Sequence, residues 1–93
     1  MTIGVSGLNH VTLAVTNLER SLAFYRDLLG LTVRATWAEG AYLEAGELWL
    51  CLAVDAKRDP SPPADGSHIA FSVSPANFAP LQDRLVAHCS QWR

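Results

Sequence analysis

His10-Val-Thr-Leu-Ala-Val15 and His68-Ile-Ala-Phe-Ser-Val73 are the two stretches on which the fold turns. They lie in the same register. Each starts with histidine, places an aliphatic residue next and ends in valine. In the first, Val11, Leu13 and Val15 alternate with His10, Thr12 and Ala14, the period of a half-buried strand. Each stretch runs directly into a helix signal. After Val15, Thr16-Asn-Leu-Glu19 has the form of a capping box, with Thr16 as cap. Leu18, Leu22, Tyr25 and Leu29 then recur on one helical face. After Val73, Ser74 is placed to cap a helix and Pro75 to open it. Phe78, Leu81, Leu85 and Val86 give that helix an apolar side. The copies are 58 residues apart, from position 10 to position 68. A strand–helix unit recurring at a fixed offset is read as an internal repeat.

Outward from the first copy, Gly30 stands where a left-handed residue ends a helix. Three strands are expected next, about Thr32–Ala38, Ala41–Ala45 and Leu48–Ala53. Glu39-Gly40 and Gly46-Glu47 supply the turns. The first copy is thus a βαβββ unit over residues 7–54. Residues 55–66, with three prolines, read as a linker. Residues 67–93 hold the first strand and helix of a second unit. The fold class is α+β, in a single domain. A second copy of equal length would run to about residue 111. The expectation is therefore that three strands of the second unit are missing. That would leave sheet edges and an apolar face exposed, so the chain should either assemble with another copy or remain poorly folded.

Seven Lys and Arg against nine Asp and Glu give a formal net charge of −2. With no basic block, nucleic acid is not an expected partner. The first residues lack the charge and apolar run of a signal peptide. No apolar run approaches the roughly 20 residues that span a bilayer, so no membrane role is expected. Cys51 and Cys89 have no metal or redox spacing and read as free thiols of a reducing cytoplasm.

Two groups of residues are candidates for chemistry. His10 and Thr12 share one face of their strand. His68 holds the equivalent place in the second copy. In a pseudo-two-fold arrangement the two imidazoles converge on one point, and imidazole is a good ligand for divalent transition metals. The alternative is a pair of satisfied or exposed histidines at strand starts. Tyr42, Trp49 and Cys51 form the second group, an aromatic wall suited to a small-molecule pocket. The alternative there is cross-strand packing, which Tyr and Trp favour.

Gly7-Leu-Asn-His-Val-Thr-Leu-Ala-Val15 followed by Asn17-Leu-Glu-Arg-Ser-Leu-Ala-Phe-Tyr-Arg-Asp-Leu-Leu-Gly30 closely resembles the opening of the fosfomycin-resistance glutathione transferases. These belong to the vicinal-oxygen-chelate, or glyoxalase and bleomycin-resistance, superfamily. Glu39-Gly-Ala-Tyr-Leu43 and Glu47-Leu-Trp-Leu-Cys-Leu52 are narrower marks of the same family. Ser67-His-Ile-Ala-Phe-Ser-Val73 and Asn77-Phe-Ala-Pro80 continue the likeness.

The resemblance implies paired βαβββ units in a cytoplasmic homodimer with shared sites. It implies metal-dependent addition of glutathione to the epoxide of fosfomycin. His10 and the His68 of a partner copy would be metal ligands, with manganese the expected metal. Thr12 would contact the substrate beside the metal. Tyr42 would lie near the glutathione thiol, and Trp49 and Cys51 would line the fosfomycin pocket. The family's third ligand, a glutamate, and its potassium-binding loop fall beyond Arg93. Two other readings stay open: a non-catalytic antibiotic-binding module, and an inert fragment.

Overall fold

A computed structural model describes residues 3–55, 57 and 69–89 of the chain. Strand β1 is His10–Val15. Helix α1, Leu18–Leu22, continues into a π-helical turn over Ala23–Leu28. Strands β2 (Thr32–Trp37), β3 (Gly40–Ala45) and β4 (Leu48–Val54) follow, then helix α2 (Pro75–Cys89). The four strands form one sheet in the order β1-β4-β3-β2. β1 runs parallel to β4, and the other two pairings are antiparallel.

The start of α1 sits one residue later than the capping box implies. Asn17, not Thr16, is the cap. Its backbone is extended, and its Oδ1 accepts from the Arg20 amide at 3.0 Å. Asparagine caps at least as well as threonine, so the helix loses nothing by the shift. At the other end the Leu29 amide reaches back five residues to the Phe24 carbonyl, at 2.9 Å. Gly30 takes a φ of 82°, and the Leu31 amide closes on the Tyr25 carbonyl at 3.0 Å. That is a glycine-terminated helix end of the expected kind.

The β3–β4 turn is Gly46-Glu47. Gly46 has a φ of 65°, and Ala45 pairs directly with Leu48. The β2–β3 turn falls at Ala38-Glu39 rather than Glu39-Gly40, because Gly40 belongs to the ladder opposite Trp37. A Cβ on Gly40 would lie 2.5 Å from the Trp37 ring and 2.6 Å from the Leu52 carbonyl oxygen. The ring can yield, but the backbone oxygen of a central strand cannot do so cheaply. Gly40→Ala is expected to cost about 1–3 kcal/mol, the usual range for overpacking. Urea unfolding checks this: the midpoint should fall while the slope stays unchanged.

Alternation divides the sheet into two faces. One packs under α1 and holds the core: Leu22, Ala41, Leu43, Leu50 and Leu52. Leu43, Leu50 and Leu52 are fully buried. Leu13, Val15, Val33 and Tyr25 pack around them.

Of the expected strand Ser67–Val73, Ser67 and His68 lie outside the described residues. Ile69–Val73 pairs with no described strand. Strand formation needs a ladder partner, and this stretch makes side-chain contact instead. Phe71 packs on the core, its ring 6.4 Å from that of Tyr25. Helix α2 is tied to the first helix by Arg84, whose Nη1 donates to the Leu28 carbonyl at 3.0 Å. A cation there satisfies a carbonyl left open by the helix end. Among the described residues no helix is long and apolar enough to cross a membrane.

Candidate functional site

The face of the sheet away from α1 carries the candidate chemistry. Ladder pairing across the strands sets His10 beside Trp49, and Trp49 beside Glu44. One step along, Thr12 lies beside Cys51, Cys51 beside Tyr42, and Tyr42 beside Ala35. A third row runs Ala14, Ala53, Gly40 and Trp37. Successive rows are about 7 Å apart, two residues along a strand. Thus His10, Thr12, Tyr42, Trp49 and Cys51 occupy adjacent positions on one face. His68 lies outside the described residues.

Parity explains the convergence. In β1 the aliphatic residues take the odd numbers and face the core, so His10 and Thr12 face away. In β4 Leu50 and Leu52 are buried, so Trp49 and Cys51 turn the other way. In β3 Ala41 and Leu43 are buried, which turns Tyr42 outward. The rings stand close. Tyr42 is edge-on to Trp49 at 6.0 Å between centroids. Trp37 meets Tyr42 at 5.1 Å. Trp49 is 39% exposed and Trp37 44%. Cys51 is only 7% exposed and forms the floor between Thr12 and Tyr42. Its thiol is free.

Trp37 is the member of this wall that sequence reading misses. Its signal was the glycine opposite it. Gly40 leaves room for the indole to lie across β3.

His10 is oriented by its neighbour. Its Nδ1 lies 2.8 Å from the Asn9 Oδ1. With the amide oxygen accepting, Nδ1 carries the proton and Nε2 keeps its lone pair. Metal-binding histidines are commonly fixed in this way. The donor set on the face is nevertheless short. The described residues contain no group of three or more His, Cys, Asp or Glu able to hold an ion. His10 offers one nitrogen of the kind a divalent metal takes.

Among the described residues the face carries one ion pair. A bulge between Val33 and Ala35 admits Arg34 as an extra residue in β2. Its Nε and Nη2 donate to the two Glu44 carboxylate oxygens at 2.7 and 3.1 Å. This fork holds the Glu44 carboxyl below its ordinary value of 4.5 and raises Arg34 in turn. A carboxyl whose pKa is depressed on folding stabilises the fold above its unfolded value. That contribution is lost as pH falls through the folded value. An NMR titration of Glu44 should therefore find a midpoint below 4.5, returning towards it in Arg34→Ala.

One cleft lies elsewhere. A cavity of about 350 Å³ sits between the end of the first helix, the β3–β4 turn and α2, lined by Leu31, Leu48, Phe71 and Leu81 among others. It is apolar and on the helix side of the sheet, so it is not the site of His10 and Tyr42. The aromatic face is an open surface, walled on one side.

Comparison with known proteins gives three findings. Residues 7–91 match the family described as Glyoxalase/Bleomycin resistance protein/Dioxygenase superfamily. The chain is 48% identical over 83 residues to the glutathione transferase FosA of Serratia marcescens, covering 87% of this chain and 59% of the relative. It is 37% identical over 76 residues to the metallothiol transferase FosB of Staphylococcus epidermidis, covering 80% and 54%. The chain thus spans little more than half the length of these relatives. Among solved structures, the fosfomycin resistance protein FosX of Listeria monocytogenes superposes with a TM-score of 0.74 at 22% identity, over 91% of this chain and 68% of that one. A glyoxalase family protein from Bacillus anthracis gives 0.75 at 21%, over 95% and 74%. At such identities the superpositions speak for the fold alone.

Proposed function

The chain belongs to the Glyoxalase/Bleomycin resistance protein/Dioxygenase superfamily, and from that premise we propose that it takes part in metal-dependent addition of glutathione to the epoxide of fosfomycin. The observation that carries this is the shared face: His10, Thr12, Cys51, Tyr42 and Trp49 in adjacent ladder positions. The 48% identity to a glutathione transferase supports the choice of co-substrate.

Each residue has a chemical task. His10, held by Asn9, offers Nε2 to a divalent metal, with manganese the expected ion and His68 of a second copy the expected companion ligand. The bound metal would supply Lewis acidity toward the phosphonate and epoxide oxygens. The Thr12 hydroxyl donates to a substrate oxygen. The Tyr42 hydroxyl donates to the glutathione sulfur and favours its thiolate. Trp49 and Cys51 shape an apolar floor and wall that limit water. Sulfur then bonds to a ring carbon, the carbon–oxygen bond of the epoxide breaks, and the freed oxygen takes up a proton.

Assembly belongs to the same reading. The aromatic face is open and its described ligand set is short, which suits a homodimer that completes the site. The location would be the cytoplasm, where glutathione is abundant. A potassium ion, expected from the family resemblance, belongs to the same reading.

A second reading has one observation in its favour. With one metal ligand among the described residues, the face would serve to sequester an antibiotic without reacting. A thiol-consumption assay with fosfomycin, glutathione and manganese decides between them. Consumption that stops on adding a chelator supports the transferase. Binding of fosfomycin that survives the chelator, with no thiol consumed, would overturn it in favour of sequestration.

A further inference from the structure

Among the four strands, Arg34 and Glu44 are the sole Arg, Lys, Asp or Glu residues. They lie side by side on the aromatic face and are paired to one another. We propose that this pair is a recognition site for an α-amino-acid zwitterion: Arg34 takes the carboxylate and Glu44 the ammonium of a thiol-bearing peptide. The proposal deepens the transferase reading and rests on it for the identity of the ligand.

Three features support the assignment. The first is placement. A bulge adds Arg34 to the ladder between Val33 and Ala35. Bulges re-aim side chains beside functional sites. Here the result is a guanidinium on the outer face at the sheet edge, next to Ala35, which pairs with Tyr42.

The second is reach. β2 and β3 are neighbours, about 4.8 Å apart. A thiol held at Tyr42 carries its γ-glutamyl arm about two residues' length away, roughly 7 Å of extended chain. The amino-acid end therefore arrives at the Arg34–Glu44 pair, in the ladder row of Trp49 and away from Trp37. The Tyr42 and Trp49 rings, 6.0 Å apart, offer apolar contact to the methylenes of that arm.

The third is charge. Side chains of opposite sign, set beside one another, match a group that itself carries both signs. A purely anionic ligand would meet Glu44 and be repelled. A zwitterion satisfies both partners. The exchange costs little, because the pair is open to water: the side chains are 52% and 34% exposed. Exposed ion pairs contribute little to folding, so opening this one leaves the sheet intact. The Arg34 fork keeps its bidentate geometry on a new carboxylate.

Calorimetric titration of the intact chain with S-methylglutathione tests this without any turnover. That thioether keeps the amino-acid end and cannot attack an epoxide. Arg34→Ala should weaken binding about tenfold, the scale of one charge-assisted bidentate contact. Glu44→Gln should weaken it several-fold. N-acetyl-S-methylglutathione, which lacks the ammonium, should bind the wild type weakly and lose nothing further in Glu44→Gln. Should Arg34→Ala disturb the fold, which a thermal melt reports, the Glu44→Gln and N-acetyl comparison decides alone.

Equal affinity of the two ligands for the wild type overturns the proposal. So does a folded Arg34→Ala that binds as the wild type does, or a wild type that binds neither ligand. The transferase reading is judged separately. Thiol consumption with unchanged binding in both variants would leave that reading standing and remove this one. The predicted binding pattern without consumption would do the reverse.

Discussion

His10→Ala is expected to reduce metal-dependent adduct formation at least about 100-fold. Loss of residues that merely orient a ligand typically costs 10–100-fold in metal affinity or activity, and loss of a ligand should cost no less. The side chain stands at the start of β1, on the open face, beside Trp49. Its Nδ1 is tied to Asn9 at 2.8 Å, which fixes the ring and leaves Nε2 for a ligand. Alanine removes the imidazole while leaving the β1 backbone and the half-buried Val11 and Leu13 side in place. The fold should therefore be unaffected. Cobalt titration followed by visible absorption separates binding from turnover. The expected result is loss of the bound-cobalt spectrum with an unchanged thermal melt. Asn9→Ala should show a milder version, because the ring loses its orientation and not its nitrogen. If His10→Ala bound cobalt as tightly as the wild type, the metal would have to sit elsewhere on the chain.

Leu50→Ala is expected to be the most damaging core change, costing about 2–5 kcal/mol. Leu50 is fully buried at the centre of β4, flanked by Val11 on β1 and Leu43 on β3. Truncation leaves a hole bounded by two strands, which a sheet closes poorly. In a small domain with a stability of about 5–15 kcal/mol, the loss is a large fraction of the total. The informative control is the adjacent residue. Trp49 is larger, yet it is on the other face and 39% exposed. Trp49→Ala should cost clearly less in urea unfolding, although it removes more atoms. The opposite order would mean that β4 has its faces exchanged, as a one-residue register slip would cause.

Much of this architecture was legible in the sequence because alternation is a strong signal in short strands. Val11, Leu13 and Val15 marked the aliphatic side of β1, and alternation put Trp49 and Cys51 together on β4. The sequence left His10 with Thr12 and Tyr42 with Trp49 and Cys51 as two separate groups; their shared face comes from the β1–β4 and β3–β4 pairings, which alternation does not specify. Boundaries were less legible. Thr16 and Asn17 are both good caps, and local chemistry does not choose between them. The π-helical turn at Ala23–Leu28 has no residue signature; it shows in the bond from Leu29 to Phe24. The β2–β3 turn was read one residue late because Gly40 looked like a turn glycine. Its task is to make room under Trp37. Trp37 was missed for the same reason, since the bulge at Arg34 breaks simple alternation along β2. Ile69–Val73 has strand-like alternation, but alternation reports which side is buried and not whether a ladder partner is present.

The proposed transferase chemistry is read directly by phosphorus NMR of fosfomycin mixed with the 93-residue chain, glutathione, manganese and potassium. A new resonance from the glutathione adduct is expected, absent with a chelator and absent with His10→Ala. An unchanged fosfomycin spectrum, under conditions where a full-length relative forms the adduct, would contradict it.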